Sequence, residues 1–206
     1  MEVYDDCGYL EIIKGCMYSG KTTRLLDIYK KYKFCDVKTM VINYEKDNRY
    51  SDHNLLSTHD RQMIPCIKAV LLSDLVKFTT SDIDIQASNY YTEFLNAKVI
   101  LINEGQFFTD IVEWVSIAVE RYHKKVYVCG LNSDFKRNKF GNWLDLETLS
   151  DNVVMLQSFC SQCKKKPGIF SHRLGNENQL EVIGTDYIPV CRKCYKGLSK
   201  QNQGFH

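Results

Sequence analysis

A short glycine-rich segment carries the first chemistry that this sequence indicates. Residues 15–22 match every fixed position of the phosphate-binding pattern G-x-x-x-x-G-K-[ST]. The glycines let the backbone curl so that its N–H groups face an anion, the lysine reaches terminal phosphates, and the threonine hydroxyl ligates Mg²⁺. The segment predicts a phosphate-binding loop, whose members are Gly15, Cys16, Met17, Tyr18, Ser19, Gly20, Lys21 and Thr22.

The segments on either side of this loop have the order that a phosphate-binding loop requires. The preceding YLEIIK is short and rich in strand-forming residues, and the following TTRLLDIYKKYKF has apolar residues at helical spacing. Residues 37–43, VKTMVIN, then predict a second buried strand. A turn with a merely solvated lysine is the alternative, and it is disfavoured because the fixed residues and the flanks agree independently.

The rest of the chain alternates between strand and helix patterns. KVILIN at 98–103 and KVYVCGLN at 125–132 predict buried strands, and MIPCIKAVLLSDLVKF predicts a strand and a short helix. Polar residues 79–89 predict a loop, and YYTEFLNA a helical extension. One helix, IVEWVSIAVERYHKK, has an apolar stripe of Ile111, Trp114, Val115, Ala118 and Val119. This order predicts an α/β fold with a mostly parallel sheet covered on both faces, and a ligand at the carboxyl ends of its strands.

Four of the nine cysteines form two C-x-x-C pairs, Cys160 with Cys163 and Cys191 with Cys194. Two such pairs supply the four ligands of a tetrahedral zinc ion. A redox pair and ordinary buried thiols are the competing interpretations, and the absence of a surrounding strand–helix context favours zinc. Because four thiolates leave no open coordination position, the predicted metal is structural. The other five cysteines are predicted to be free thiols.

The strand at 98–103 ends in a polar pair, Asn103 and Glu104. In P-loop enzymes a strand near the loop usually ends in an aspartate that helps to hold Mg²⁺, and Asn103 stands at that position. Glu104 follows directly, where a carboxylate can accept the proton of an attacking hydroxyl. The alternative is a solvated charge that caps the next helix, and position alone favours a catalytic role.

Charge and composition exclude some classes of protein. The net charge is +2, from 27 basic and 25 acidic residues, which is too balanced for a dedicated nucleic-acid binder. No apolar run approaches the roughly 18 residues of a membrane span. The first ten residues, MEVYDDCGYL, lack a basic segment followed by an apolar core, so we expect an intracellular, cytoplasmic protein.

Several motifs together resemble the type II thymidine kinases, the family of the cytosolic cellular enzyme and of many bacterial and large-DNA-virus enzymes. They are GCMYSGKTT, KDNRY, THD, NEGQFF, GLNSDFKRNKFG, RLG, EVIG and CRKCY, and they extend over nearly the whole chain. The resemblance implies a P-loop, RecA-like kinase domain over residues 1–157. A small zinc-ribbon and lasso-loop domain would follow over 158–198, and a tail over 199–206.

By this resemblance, the protein transfers the γ-phosphoryl group of ATP to the 5′-hydroxyl of thymidine or deoxyuridine, with Glu104 as the catalytic carboxylate. Further nucleotide contacts are implied for Asp47, Asn48, Arg49, Asn103, Gly105 and Gln106. The implied thymidine pocket consists of Met17, Phe107, Leu131, Phe135, Phe140, Leu180, Glu181, Val182, Ile183, Gly184 and Tyr187. Mg²⁺ and structural Zn²⁺, a homotetramer and feedback inhibition by thymidine triphosphate are implied as well, with no nucleic-acid or membrane partner.

Three departures from the family pattern affect these expectations. Asn103 replaces the expected aspartate, the segment between Gly184 and Tyr187 is shorter than usual, and residues 79–97 look like an insertion. Two other functions stay open at this point. One is a P-loop ATPase whose zinc ribbon grips DNA, against which the near-neutral charge argues. The other is a weakened homologue that senses nucleotides, which only Asn103 suggests.

Overall fold

The computed structural model describes residues 7–46, 54–58, 61–174 and 187–201. The strands are β1 (Tyr9–Gly15), β2 (Thr39–Tyr44), β3 (Leu55–Ser57), β4 (Met63–Pro65), β5 (Ile67–Ala69), β6 (Val99–Ile102), β7 (Lys125–Leu131), β8 (Asn152–Leu156), β9 (Ser158–Phe159), β10 (Pro167–Gly168), β11 (Phe170–Arg173) and β12 (Tyr187–Val190). The α-helices are α1 (Lys21–Phe34), α2 (Tyr91–Asn96), α3 (Ile111–Glu120) and α4 (Arg192–Gln201). Short 3₁₀ helices cover Leu72–Asp74, Gly105–Phe107 and Trp143–Leu149.

Six strands form one sheet in the order β5-β2-β6-β7-β1-β8, and every pairing within it is parallel. The predicted parallel sheet is therefore confirmed, and the carboxyl ends of β1, β2, β6 and β7 meet at one edge. The edge strand β8 was not predicted, although residues 153–156 are apolar; among the described strands it pairs only with β1, and its side chains are exposed or only partly buried. The helix predicted after the strand near residue 63 is only the 3₁₀ turn at Leu72–Asp74.

Neighbouring residues of the central strands face opposite sides of the sheet, and both sides are covered. Ile12 packs in the cluster that contains α3, and Ile13 in the cluster that contains α1. The predicted stripe of α3 is confirmed, since its buried residues are the five named above. Burial of each such large apolar side chain contributes about 1.5–3 kcal/mol, so the two faces together fix the sheet between its helices.

Residues 79–97 begin with an irregular loop and end in α2, as the sequence predicts. Phe94 of α2 is fully buried, with its ring 5.7 Å from Trp114 and 5.4 Å from Tyr122. Aromatic pairs at this distance add about 0.5–1.5 kcal/mol beyond the area that they bury. Helix α2 therefore packs against α3 and the residues that directly follow it.

A buried lysine caps the C-terminal end of α2. Lys124 Nζ donates hydrogen bonds to the carbonyls of Leu95, at 3.1 Å, and Ala97, at 2.7 Å. Such a cation satisfies carbonyl groups that a helix end leaves without intrahelical partners. Burial lowers the pKa of Lys124.

The C-terminal strands and α4 form a small unit around the four paired cysteines, which we call the zinc-ribbon unit (residues 158–174 and 187–201). It consists of the antiparallel pairs β9–β10 and β11–β12 and of α4. Helix α4 was missed from the sequence, and it extends past the tail boundary predicted at residue 198. Its apolar positions are few, yet Tyr195 and Leu198 pack on the cysteine cluster at helical spacing. Within the described ranges, no helix is both long and apolar enough to cross a membrane.

Candidate active site

The loop between β1 and α1 has the curled backbone that its sequence predicts. Gly20 adopts φ +84° and Tyr18 φ +61°, both in the left-handed region that glycine tolerates best. Lys21 begins α1, and its Nζ donates a hydrogen bond to the Cys16 carbonyl at 2.8 Å. The Lys21 side chain therefore lies against the loop whose bound phosphates it is predicted to contact.

The loop offers hydrogen-bond donors suited to an anion. Ser19 Oγ is buried and has no hydrogen-bond partner among the described residues. No side chain from the described ranges caps the start of α1, and its first turn, which contains Thr22, has no acidic residue. The N–H groups and the positive end of a helix attract phosphate at such a position. The arrangement fits the phosphates of a nucleotide.

The zinc-ribbon unit contacts the phosphate loop through two hydrogen bonds. Ser171 Oγ accepts a hydrogen bond from the Met17 backbone N–H at 2.9 Å, and Cys16 Sγ donates one to the Gly168 carbonyl at 3.1 Å. Burial raises the pKa of the Cys16 thiol, against the attraction of Lys21. Cys16 is therefore a packed thiol and not an activated one, and Ser171 is a loop contact that no sequence pattern indicated.

Glu104 lies just beyond β6, at the carboxyl edge of the sheet. It is 8% exposed and adopts φ +57°, a conformation that costs a non-glycine residue about 1–2 kcal/mol and that is concentrated at functional sites. Gln106 Nε2 donates a hydrogen bond to Glu104 Oε2 at 2.5 Å. The alternative of a solvated helix cap is wrong, because the side chain is buried and does not cap the helix at Gly105–Phe107.

Asn103 is 2% exposed and its amide is engaged at both ends. Its Nδ2 donates to Asn43 Oδ1 at 2.8 Å, and its Oδ1 accepts from Cys129 Sγ at 3.0 Å. Asn43 lies in β2 and Cys129 in β7, and Asn103 directly follows β6, the strand between them. The amide oxygen is buried and already accepts one hydrogen bond, which disfavours a direct contact with Mg²⁺.

Two aromatic residues of the predicted thymidine pocket lie side by side. The ring of Phe107 is 5.3 Å from that of Phe140 in an edge-to-face contact, and it stacks on Tyr44 at 4.8 Å. Tyr44 was not predicted, although it ends β2 at the same edge of the sheet. The backbone N–H of Leu131, another predicted pocket residue, donates to Gln106 Oε1 at 3.0 Å.

Arg173 brings two further predicted pocket residues together. Its guanidinium lies 3.9 Å from the ring centroid of Phe135, and its Nε donates to the Tyr187 hydroxyl at 2.9 Å. Tyr195 of α4 donates its hydroxyl to the Phe135 carbonyl at 2.7 Å. The predicted residues Asp47, Asn48 and Arg49, and the pocket residues Leu180, Glu181, Val182, Ile183 and Gly184, lie outside the described part of the chain.

The four paired cysteines converge as predicted. The sulfurs of Cys160, Cys163, Cys191 and Cys194 all lie within 4.8 Å of one another, and those of Cys163 and Cys191 are 3.9 Å apart. A tetrahedral zinc ion with Zn–S bonds of about 2.3 Å requires sulfur separations of about 3.8 Å. Burial and the neighbouring thiols raise the pKa of Cys194 to about 12, which a bound cation would reverse. The cluster fits a zinc ion.

Comparisons with known proteins agree with this geometry. The family model described as thymidine kinase matches residues 8–195, a range that includes the phosphate loop, Glu104 and all four paired cysteines. Cytosolic thymidine kinase of Cricetulus griseus is 38% identical over 190 residues, which are 91% of this chain and 73% of the relative. Thymidine kinase of Vaccinia virus (strain Ankara) is 38% identical over 192 residues, 92% of this chain and 98% of the relative. Cytosolic thymidine kinase of Homo sapiens is 38% identical over 200 residues, 96% of this chain and 77% of the relative. The chain therefore belongs to the thymidine kinase family.

Proposed function

We propose that this protein transfers the γ-phosphoryl group of ATP to the 5′-hydroxyl of thymidine or deoxyuridine, and so supplies dTMP from salvaged nucleoside for DNA synthesis. The observation that carries the proposal is the pairing of two features at one edge of the sheet. A phosphate loop whose buried Ser19 hydroxyl has no hydrogen-bond partner among the described residues follows β1, and a buried carboxylate in a strained conformation follows β6. Family membership supports the choice of nucleoside.

In the proposed reaction, the 5′-oxygen of the nucleoside attacks the γ-phosphorus of ATP. The bond from that phosphorus to the β–γ bridging oxygen breaks, ADP leaves, and the hydroxyl proton passes to the carboxylate of Glu104. Lys21, the Ser19 hydroxyl and the first N–H groups of α1 bind the phosphates and stabilise the charge that develops on them.

Mg²⁺ neutralises phosphate charge in reactions of this class. Thr22, in the first turn of α1, is the residue that we propose to hold it. The engaged amide of Asn103 supports no direct contact with the ion, so phosphate oxygens and water would complete its shell. Zinc in the cluster of four cysteines is proposed to be structural, because four thiolates fill its coordination shell.

The pyrimidine ring is proposed to bind beside the aromatic residues that follow β6 and β7. Phe107 and Phe140 lie edge to face there, and aromatic rings suit a flat base. Met17, Leu131, Phe135, Tyr187 and residues 180–184 are proposed as the remaining wall. We also propose Asp47, Asn48, Arg49 and Gly105 as nucleotide contacts, a homotetrameric assembly, feedback inhibition by thymidine triphosphate and a cytoplasmic location.

The first test is transfer of labelled γ-phosphate from Mg·ATP to thymidine, with deoxycytidine and deoxyguanosine alongside. We expect product with thymidine, and a loss of about 10²–10⁴-fold in kcat for Glu104→Gln, since the substitution removes the proton acceptor. Glu120→Gln, at an exposed position of α3, is the matched control. Absence of product from folded, zinc-loaded wild-type protein would refute the proposed function.

A further inference from the structure

Gln106 lies in a closed slot between Glu104 and the end of β7. It is 4% exposed, its Oε1 accepts the Leu131 N–H at 3.0 Å, and its Nε2 donates to Glu104 Oε2 at 2.5 Å. We propose that Gln106 is a positioning residue that holds the Glu104 carboxylate in place for proton transfer, and not a contact of the nucleotide. The inference rests on the proposed function, in which Glu104 is the proton acceptor.

The direction of the Gln106 amide follows from its partners. A backbone N–H can only donate, so the amide must present its oxygen to Leu131. Its NH₂ group is then directed to the carboxylate of Glu104, which can only accept while it is ionised. The reversed amide would place two donors together at Leu131 and two acceptors together at Glu104. The amide therefore has one favourable orientation.

The end of β7 and Trp143 pack closely around the Gln106 amide. A side-chain carbon at Gly130 would lie 2.6 Å from Gln106 Oε1 and 2.8 Å from the ring of Trp143, so only glycine fits there. Trp143 is fully buried, and its Nε1 donates to the Leu131 carbonyl at 3.2 Å. Because packed interiors deform little, β7 fixes the position of the Gln106 amide, and the amide in turn fixes the position of the Glu104 carboxylate.

The hydrogen bond from Gln106 restricts the orientation of the Glu104 side chain. Its backbone is in the left-handed region, and its carboxylate is almost wholly withdrawn from water. A hydrogen bond to an ionised group is about twice as strong as one between neutral groups, so this contact selects one carboxylate orientation. Misplacing a reacting group by about 1 Å can lower a rate by about 10²-fold. The contact should therefore act on the rate of transfer and leave binding of both substrates unchanged.

Two substitutions separate positioning from nucleotide contact. Gln106→Met keeps the side-chain length and removes both hydrogen-bonding groups. Gln106→Glu keeps an acceptor for the Leu131 N–H and replaces the NH₂ donor with a second carboxyl group beside Glu104. In single-turnover transfer we expect both to lower the rate by about 10–100-fold, and in steady-state assays we expect KM for ATP and for thymidine to stay within about twofold of wild type. Gln86→Met, at an exposed position, is the matched control and should behave as wild type.

Other outcomes overturn the proposal. A raised KM for ATP with an unchanged transfer rate would make Gln106 a nucleotide contact, as the family resemblance implies. Unchanged rate and KM in both variants would make it a bystander to catalysis.

A measurement without catalysis keeps this test separate from that of the proposed function. The Gln106 side-chain NH₂ signal in a ¹⁵N-correlation NMR spectrum is identified by its loss in Gln106→Met. In Glu104→Ala this signal should move upfield, because the charged acceptor is gone. An unmoved signal would refute the contact, whether or not the wild-type protein phosphorylates thymidine.

Discussion

Asn103→Asp restores the residue that P-loop enzymes usually carry at this position, and we expect it to destabilise this protein. Asn103 is 2% exposed, and its Nδ2 donates to Asn43. The substitution removes that donor and places a second acceptor opposite Asn43 Oδ1, unless the Asn43 amide turns over. In either case a carboxylate enters a buried site that contains no cation among its described hydrogen-bond partners, Asn43 and Cys129.

Two limiting responses set the size of the effect. If the introduced carboxylate stays ionised, it resembles a buried charge that has lost its partner, which costs about 3–5 kcal/mol. If it takes up a proton, the cost at pH 7 is about 1.36 kcal/mol for each unit between pH 7 and an ordinary aspartate pKa of about 3.9, or about 4 kcal/mol. We therefore expect the free energy of unfolding to fall by about 3–4 kcal/mol at pH 7.

Urea unfolding of wild type and variant at pH 7 and pH 6 measures this effect. A folded-state pKa raised above the unfolded value means that the folded variant binds more protons, so its deficit should shrink as the pH falls. We expect a decrease of about 1.4 kcal/mol over that unit if the introduced group is protonated. Gln86→Glu makes the same chemical change at an exposed position and should alter stability by less than about 0.5 kcal/mol.

Two results would refute this reasoning. One is a deficit below about 1 kcal/mol at pH 7, which would mean that position 103 is open to water. The other is a variant that millimolar Mg²⁺ restores to wild-type stability while the wild-type protein does not respond. The introduced carboxylate would then reach a metal site, and the engaged amide of Asn103 would be a poor guide to the position of the ion.

Three further predictions follow from contacts outside the reacting groups. Ser171→Ala leaves the Met17 N–H without its acceptor, so it should lower the unfolding free energy by about 1–3 kcal/mol and raise KM for ATP. Ser161→Ala, at an exposed position of the same unit, is the control, and an equal effect of that substitution would contradict the prediction. Removing the metal with a chelator should raise KM for both substrates in proportion to the zinc released, and full activity of metal-free protein would argue against it. Because the folded-state pKa of Lys124 is lowered, the unfolded wild-type chain binds more protons than the folded one between that pKa and 10.5, so wild-type stability should rise with pH there. Lys124→Met should abolish this rise. Curves of unfolding free energy against pH that run parallel for wild type and variant would contradict the prediction.

The elements around the reacting groups were predictable because each has its own local pattern. The strands at the centre of a parallel sheet are buried on both faces, so they are short apolar runs such as VILI. Helix α3 shows its buried stripe at helical spacing, and the two C-x-x-C pairs indicate a metal by spacing alone. Position after the strand also indicated Glu104 as the candidate base.

The contacts that hold those residues depend on strand order, which no local pattern reveals. Asn43, Asn103 and Cys129 meet because β2, β6 and β7 are neighbours in the sheet, although they lie far apart in the chain. The contact from Ser171 to Met17 likewise requires the zinc-ribbon unit to pack against the loop that follows β1. Helix α4 was missed for another reason: its exposed residues are mostly polar, and its two packing side chains face a cysteine cluster instead of a large apolar core.

The zinc-ribbon unit contacts both proposed substrate sites, although the zinc ion that its four cysteines fit would have no open position for a ligand. Among its described residues, the hydrophobic cluster contains only four buried side chains, of which two are cysteines, so we expect a bound metal to contribute much of its folding free energy. Through Ser171 it contacts the phosphate loop, and through Tyr195 it contacts the Phe135 carbonyl. Loss of zinc should therefore impair binding of ATP and thymidine together. A decrease in activity on chelation would by itself be no sign of metal catalysis, since a structural ion at these contacts has the same effect.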